Sequence, residues 1–307
     1  MMKTDYDVII IGGGPGGYTS AIYCARSSLK TLIIEETHAG GQISSPVNVD
    51  YPGFEDGIEG SRLLEKMRAD AENHGAKTLF AKVYSLNLEE REKTVFTTKG
   101  DFKCGSVILA MGASPRRLGL PGESVLSGRG VNYYISEGDD FYKGKTAAVI
   151  GGGNAALDNA VILSDICKKV YLIHEGGGFK ADESLINDVL RRSNIVVLYH
   201  TEVSGLLSED GAVTGLSLTD KTSGRKGVID CDGIFVAIGK TPNTRLLRSH
   251  LKTDKDGYVI ADETTRTNID GVFATGDLRT KPLRQIITAA SDGAVAAMNA
   301  KEYIRRN

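Results

Sequence analysis

The sequence predicts an α/β fold of two parallel-sheet domains, the second inserted into the first. Three observations predict it: an apolar strand running into a glycine-rich turn near the N-terminus, a second copy of that unit 139 residues on (Gly12 to Gly151), and a late strand and helix that complete the first domain. The N-terminal unit spans Tyr6–Glu36, YDVIIIGGGPGGYTSAIYCARSSLKTLIIEE. Val8–Ile11 is apolar, β-branched and too short for a helix, the pattern of a buried parallel strand. Gly12, Gly14 and Gly17 follow as G-x-G-x-x-G, with Pro15 among them. Gly12 permits the tight turn, Gly14 lets a pyrophosphate approach the backbone, and Gly17 lets the next helix, Tyr18–Ser27, lie close to the strand. That helix aims its free N–H groups and its dipole at the same spot, which favours an anion. A second apolar strand, Thr31–Ile34, ends in Glu35 and Glu36, and a carboxylate there can accept hydrogen bonds from the hydroxyls of an adenosine ribose. Glycines alone would be weak evidence. Framed by strand, helix, strand and acid, they mark a dinucleotide site.

Thr146–Glu175 repeats this unit. Ala147–Ile150 is a strand, Gly151-x-Gly153-x-x-Ala156 is a second fingerprint enclosing Asn154 and Ala155, Ala156–Ile166 is a helix, and Val170–Ile173 is a strand that leads to His174 and Glu175. Two copies of one βαβ unit mean two dinucleotide-binding folds in one chain. Each domain is therefore expected to be Rossmann-like, with three ββα layers.

Between the copies, Ala39–Gln42 and a polar loop to Asp50, holding Asn48, exceed a plain connector, and such loops are usually functional. Residues 61–75 read as an amphipathic helix with Leu63, Leu64, Met67 and Ala71 on one face. Short alternating strands, one including Val83, run to Cys104, and Val107–Leu109 is a buried strand ending in Ala110-Met111-Gly112. Pro115 and Pro121 mark the first domain crossing. After the second fingerprint come a helix at Glu183–Arg192, strands near 195–218 and a strand at Gly233–Ile238. The closing part holds the strand Gly271–Gly276 with the Gly276-Asp277 turn, and a small-residue helix expected to begin at Arg284-Gln285 and reach Tyr303. The expected domains are residues 1–115 with 246–307, and 116–245.

Composition narrows the function. The chain has 307 residues, 41% hydrophobic and 25% charged, which suits a soluble globular protein with two cores. A net charge of −2 argues against nucleic acid or an acidic membrane as partner. The N-terminus leads directly into a strand and no apolar run is long enough to span a bilayer, so the expected location is the cytoplasm. The four cysteines, Cys24, Cys104, Cys167 and Cys231, lie far apart in sequence and form no C-x-x-C. They read as small, reduced, buried residues, and no metal site is assigned.

The pieces IIGGGPGGYTSAIYCAR, GGQI, YPGF, VILAMGASPR, GRGVNYY, VIGGGNAALDNA, VYLIH, FVAIGKTPNT, GVFATGDL and RQIITAASDGAVAA, in this order, resemble the low-molecular-weight thioredoxin reductases, two-domain flavoproteins of the disulfide reductase superfamily. The resemblance covers nearly the whole chain. It implies one non-covalent FAD in the first domain, with Gly12, Gly14, Pro15 and Gly17 at the pyrophosphate and Glu35 and Glu36 at the ribose. Gly41 and Gln42 would lie beside the flavin, Asp277 at the ribityl chain, and Arg284 and Gln285 near the isoalloxazine ring. Asn48, Val83, Ala110, Gly112 and Ile286 complete the implied pocket. It also implies a homodimer whose inserted domain swivels.

Two departures from the family's pattern shape the functional expectation. Family members carry C-x-x-C straight after the segment that matches Gly128–Tyr133. This chain reads Tyr134-Ile135-Ser136-Glu137 there, followed by Gly138 where an acid is usual, with Asp139 and Asp140 displaced. Neither a phenol nor a carboxylate accepts two electrons as a disulfide does. Tyr134 and Glu137 either fill the vacated space or cover and polarise the flavin. The second departure follows the strand Val170–Ile173. NADPH-dependent members have His-Arg-Arg and a further Arg, guanidiniums that clamp a ribose 2′-phosphate. This chain reads His174-Glu175-Gly176-Gly177-Gly178-Phe179-Lys180. NADPH is therefore disfavoured. Three readings of the inserted domain stay open: NADH held at Gly151, Gly153, Asn154, Ala155, His174 and Glu175; a second flavin or other flat nucleotide; or no ligand.

The leading expectation is a FAD-dependent oxidoreductase that passes electrons through the flavin without an active-site dithiol. Its donor would be NADH or a small ferredoxin- or flavodoxin-like protein. Two alternatives are a disulfide oxidoreductase using other cysteines, with Cys24 and Cys104 the pair to test, and a non-catalytic nucleotide-binding regulator.

Overall fold

The computed structural model describes residues 4–37, 41–43, 48–135 and 140–307. In chain order the first segment contains β1 (Tyr6–Ile11), α1 (Pro15–Arg26), β2 (Thr31–Glu35), β3 (Asn48–Val49), β4 (Ile58–Glu59), α2 (Gly60–Asn73), β5 (Lys77–Phe80), β6 (Val83–Asn87), β7 (Lys93–Thr97), β8 (Gly100–Leu109) and β9 (Ala113–Pro115). The middle of the chain contains α3 (Glu123–Leu126), β10 (Val131–Asn132), β11 (Thr146–Ile150), α4 (Asn154–Ile166), β12 (Lys169–Ile173), α5 (Glu183–Arg191), β13 (Ile195–Leu198), β14 (Thr201–Glu209), β15 (Ala212–Asp220), β16 (Lys226–Asp230), β17 (Gly233–Val236) and β18 (Lys240–Pro242). The last segment contains β19 (Val272–Ala274) and α6 (Ile286–Arg306). The chain divides into two compact units: residues up to Ser114 with Thr241–Asn307, and Pro115–Lys240.

Unit 1 is built on a sheet in the order β5-β2-β1-β8-β7-β6, with β19 also paired to β8. β1 is central and parallel to both neighbours, Ile10 facing Ile33 on one side and Ile108 on the other. Its continuous apolar run is thereby explained, since Val8, Ile9 and Ile10 are all fully buried. β8 is longer than the sequence suggested. Its first half pairs antiparallel with β7 and its second half pairs parallel with β1 and β19, so Cys104 lies inside the strand rather than before it. One sheet face, carrying Val8, Ile10, Ile33 and Ile108, meets Tyr18, Ala21 and Cys24 of α1 and Ala296, Ala297 and Ala300 of α6. The other, carrying Ile9, Ile11, Leu32, Ile34, Val107 and Leu109, is covered by Leu86, Val95, Leu247 and Val259. Small residues let α1 and α6 touch: a Cβ on Gly293 would stand 2.3 Å from the Gly16 carbonyl oxygen.

Unit 2 has a five-stranded parallel sheet, β10-β17-β11-β12-β13, and a three-stranded antiparallel sheet, β14-β15-β16. Ala147, Val149, Val170 and Leu172 pack with Leu157 and Leu163 of α4 and Val189 of α5. Ala148 and Ile150, on the opposite face of β11, pack with Val213, Leu216 and Leu218 of β15. Both units are thus Rossmann-like α/β folds with helices on one face of a parallel sheet.

Several boundaries move. α1 begins at Pro15, not Tyr18, because proline fits the first helical turn, where its missing N–H has no partner to lose. α4 likewise begins at Asn154. The last helix begins at Ile286, with Gln285 as its N-cap in a reciprocal capping box with Thr288, so Arg284 lies outside it. The second junction falls at 240/241 rather than 245/246. Asn243 explains this, donating to the Met111 carbonyl at 2.8 Å and accepting from the Ser114 hydroxyl at 2.9 Å within unit 1. β16, absent from the sequence reading, is a polar strand recruited by pairing with β15.

Candidate functional site

In unit 1 the first fingerprint is shaped by close approaches. Gly12 has φ +106°, and a Cβ there would stand 2.4 Å from the Ala110 carbonyl oxygen. A Cβ on Gly17 would lie 1.9 Å from the Gly12 carbonyl oxygen. Gly14 differs: nothing stands within 4 Å of the place its Cβ would take. Gly14 is the N-cap of α1, which has no side-chain cap and no acidic residue in its first turn. The open space above Gly14 therefore faces helix N–H groups that suit a phosphate. A clean separation of roles follows. Gly17→Ala is expected to lower soluble yield and melting temperature, by the roughly 1–3 kcal/mol or more typical of an overpacked site. Gly14→Ala should leave the melting temperature of the ligand-free protein unchanged while weakening dinucleotide binding. Thermal unfolding with and without added ligand checks both.

Glu35 ends β2 with its carboxylate against the same loop. Oε2 accepts from the Gly13 amide at 2.5 Å, and Oε1 accepts from the Thr37 amide at 3.1 Å. Glu36 turns instead to Lys82, 3.1 Å away on the surface. Gln42, in the turn Gly41–Ile43, donates to Asp277 Oδ2 at 3.3 Å, joining two predicted residues 235 positions apart. Ala110 follows β8 beside Gly12, and Gly112 turns the chain with φ +62°. Val83 is buried at the start of β6. Arg284 stacks its guanidinium on the Tyr258 ring, 3.9 Å from the centroid, and its Nε is buried without a hydrogen-bond partner. Gln285 and Ile286 sit at the start of α6. Asn48 is engaged in its own hairpin, donating to the Asp56 carbonyl at 2.9 Å. Tyr258 had no local signal in the sequence.

In unit 2, Tyr134 is 37% exposed, while Glu137 lies outside the described residues. The neighbouring Tyr133 hydroxyl donates to Glu123 at 2.7 Å. Burial, then the Glu123 carboxylate, push the Tyr133 phenol up to about 12.

The four cysteines are free and buried. Burial pushes the thiols of Cys24, Cys104 and Cys231 up to about 12. Cys24 belongs to the core cluster beneath α1 and α6, and Cys104 to the cluster across the sheet. The structure therefore does not join them as a redox pair, because a sheet of close-packed side chains separates their surroundings.

The second fingerprint repeats the first in its constraints. Gly151 has φ +147°, and a Cβ would stand 2.3 Å from the Ala237 carbonyl oxygen. Gly153 caps α4, again without a side-chain cap or an early acidic residue. Asn154 and Asp182 hold each other, the Asn154 Nδ2 donating at 2.8 Å and the Asp182 amide donating back at 3.0 Å. Ala155 is exposed in the first turn. His174 lies over the loop, so that a Cβ on Gly152 or Gly176 would meet its ring at 2.4 or 2.7 Å. Gly177 is covered the same way by His200, at 2.7 Å. Phe179 packs between His174 and Tyr199. Glu175 is not an isolated charge, because Lys221, on the turn between β15 and β16, lies 2.9 Å from its Oε2. Sequence order hid His200, which follows β13 where that strand lies parallel to β12, and Lys221, which the antiparallel pairing of β14 with β15 brings beside His200.

Among the described residues no group of three or more His, Cys, Asp or Glu side chains could hold a metal, and no helix is long and apolar enough to cross a membrane. Residues 6–293 match the family described as pyridine nucleotide-disulphide oxidoreductase. The chain is 39% identical over 304 residues to a thioredoxin reductase of Mycolicibacterium smegmatis, covering 98% of this chain and 97% of that protein. It is 39% identical over 306 residues to the thioredoxin reductase of Treponema pallidum, covering 99% and 98%. The crystal structure of Lactococcus lactis thioredoxin reductase aligns with a TM-score of 0.82 at 32% identity, covering 99% of this chain and all of that one (100%).

Proposed function

Since the chain belongs to the pyridine nucleotide-disulphide oxidoreductase family and is an oxidoreductase of the thioredoxin reductase type, we propose that it is a dimeric FAD-dependent enzyme. On this reading it passes electrons through the flavin without an active-site dithiol, and takes them from NADH or a small redox protein rather than NADPH. The observation that carries the flavin reading is the cradle at Gly14, open over the N-terminus of α1 and flanked by Glu35. These residues fit a dinucleotide. The capless helix start would receive the pyrophosphate, Glu35 the ribose hydroxyls, and the Gln42–Asp277 pair the middle of the molecule. The unpartnered Arg284 Nε supports a polar group of the flavin ring nearby. Bound there, FAD would supply hydride or single-electron transfer at its N5. The chain's own part is to orient the ring through Arg284, Gln285 and Gln42 and to exclude stray reactions.

The absence of a dithiol relay is read from Tyr134 and Glu137 at the two expected cysteine positions and from the burial of all four cysteines. Partnership with a ferredoxin- or flavodoxin-like donor becomes the favoured version if neither pyridine nucleotide delivers electrons.

Purified protein should be yellow and should release FAD into the supernatant on heating. Anaerobic mixing with NADH or a reduced small redox protein should bleach the flavin band. No flavin in well-folded protein, together with failure to bind added FAD, would refute the cofactor. Bleaching by none of these donors would favour the regulator instead.

A further inference from the structure

The core of unit 1 contains an ion cluster that the proposed chemistry does not use. Asp292, in the small-residue stretch of α6, is 5% exposed and sits between two cations. Its Oδ1 accepts from Arg279 Nη2 at 2.7 Å, and its Oδ2 accepts from Arg279 Nε at 2.9 Å and from Lys281 Nζ at 2.7 Å. Arg279 is 1% exposed and also donates to the carbonyls of Ala261 and Thr280. Its Nη2 lies 3.4 Å from Glu263, whose own side chain is 86% exposed. Lys281 also donates to the Thr288 carbonyl at 3.1 Å. Burial alone would raise the Asp292 carboxyl, but the hydrogen bonds from Arg279 and Lys281 outweigh it and hold it below the ordinary range.

One more bond gives the cluster a direction. Asp292 Oδ2 accepts from the backbone amide of Gly276 at 2.9 Å. Gly276 has φ +66° and opens the short 3₁₀ turn Gly276–Leu278, so it sets where Asp277 points. A Cβ on Gly276 would lie 3.3 Å from that of Ala289, which holds the turn against α6 from the same side. Arg279 lies immediately after the turn, so Asp292 grips it at both ends. Buried ion clusters are poor sources of net stability, since desolvation offsets most of their attraction, and this one spans the turn from the Gly276 amide to Arg279.

We propose that Asp292 is a positioning residue for the cofactor: through the Gly276 amide and Arg279 it sets the turn that presents Asp277 to the ribityl chain of FAD. This rests on the reading of unit 1 as the flavin site. A merely structural Asp292 would hold α6 in place and leave Asp277 to act independently. A positioning Asp292 makes the two residues non-additive.

The experiment is a double-mutant cycle on FAD affinity, measured by fluorescence titration of flavin-free protein. Asp292→Asn alone would leave both Arg279 and Lys281 buried and uncompensated, so the cycle uses Arg279→Gln with Asp292→Asn in a Lys281→Met background, which removes all three charges at similar volume. That pair is expected to weaken FAD binding about tenfold or more, the scale of one hydrogen bond to a charged group. Asp277→Asn should weaken binding in the natural background and add little in the paired variant. Lys281→Met alone, which leaves Arg279 as the counter-ion of Asp292 and spares the Gly276 contact, should retain affinity within about threefold. Should the paired variant not fold, Arg279→Lys, which keeps the charge but loses the two-point grip on Asp292, runs the same cycle. Natural affinity in the paired variant, or fully additive losses with Asp277→Asn, would overturn the proposal. If the unaltered protein binds no FAD, the flavin reading of unit 1 falls, and this inference with it.

Discussion

Offered NADPH and thioredoxin, the purified protein is expected, on the proposed reading without an active-site dithiol, to show at least about a thousandfold less thioredoxin reduction than a dithiol-bearing relative. A relay needs two sulfurs in reach of the flavin and of the partner, and one must be a thiolate. Residues 134–137 provide none. The remaining cysteines are buried, and burial pushes Cys24, Cys104 and Cys231 up to about 12. At pH 8 such a thiol is ionised in roughly one molecule in ten thousand, and raising the pH to 9 brings only about a tenfold gain. The check is a coupled assay with the natural protein and a variant in which Cys24, Cys104, Cys167 and Cys231 are replaced by Ser or Ala. Robust NADPH-dependent turnover in both would mean that electrons reach thioredoxin by a route needing no sulfur. Turnover lost only with Cys24 or Cys104 would revive the cysteine-pair alternative despite their separate cores.

The second large effect concerns the donor. NADH is expected to reduce the flavin faster than NADPH by about two decades or more. Each bidentate guanidinium contact to a 2′-phosphate contributes on the order of 1.5–3 kcal/mol, and His174–Gly178 contains no arginine. The structure tempers one part of this argument. Glu175 is paired with Lys221 at the surface, so its repulsion of a phosphate is weaker than an isolated carboxylate would exert. It strengthens another part. Gly176 and Gly177 lie under the rings of His174 and His200, and a Cβ at either would come within 2.7 Å of a ring atom. Glu175→Arg alone is therefore expected to raise NADPH use, whereas adding Gly176→Arg should cost part of that gain by displacing His174. Stopped-flow reduction with each nucleotide decides the matter. Faster bleaching of the natural protein by NADPH would sink the preference for NADH. An additive gain in the double variant would show that His174 moves aside freely.

Much of this was legible in the chain. The strands β1, β2 and β11 announced themselves because the stretch of a strand buried on both faces must be almost wholly apolar, as in Val8–Ile11, Thr31–Ile34 and Ala147–Ile150, a constraint that lies within about four residues. The fingerprint glycines were legible for a similar reason. The approach of Gly17 to Gly12, and the positive φ of Gly12, are demands of the local backbone that no other residue meets without strain. Glu35 followed from its place at the end of β2, and the two-unit plan from the repeat itself. The start of α1 was less legible, because Pro15 and Gly16 disfavour a helix interior but are both tolerated in its first turn.

Other features belong to the tertiary structure. Gln42 meets Asp277 across 235 residues because β19 returns beside β8. Tyr258 finds Arg284, and Lys221 finds Glu175, through turns whose loop lengths carry no record of their neighbours. Asp292 had one visible trace, a carboxylate amid the alanine-rich first half of α6, but only the folded turn supplies Arg279, Lys281 and the Gly276 amide as its partners. The sequence by itself determined what each short stretch must be, since strand burial, helix capping and glycine turns are decided by residues a few positions apart. The tertiary structure alone decided which polar side chains share a charge or a hydrogen bond. Those pairings depend on which turns the sheet order sets side by side, and their energies, a few kcal/mol each, are too small to constrain the intervening chain.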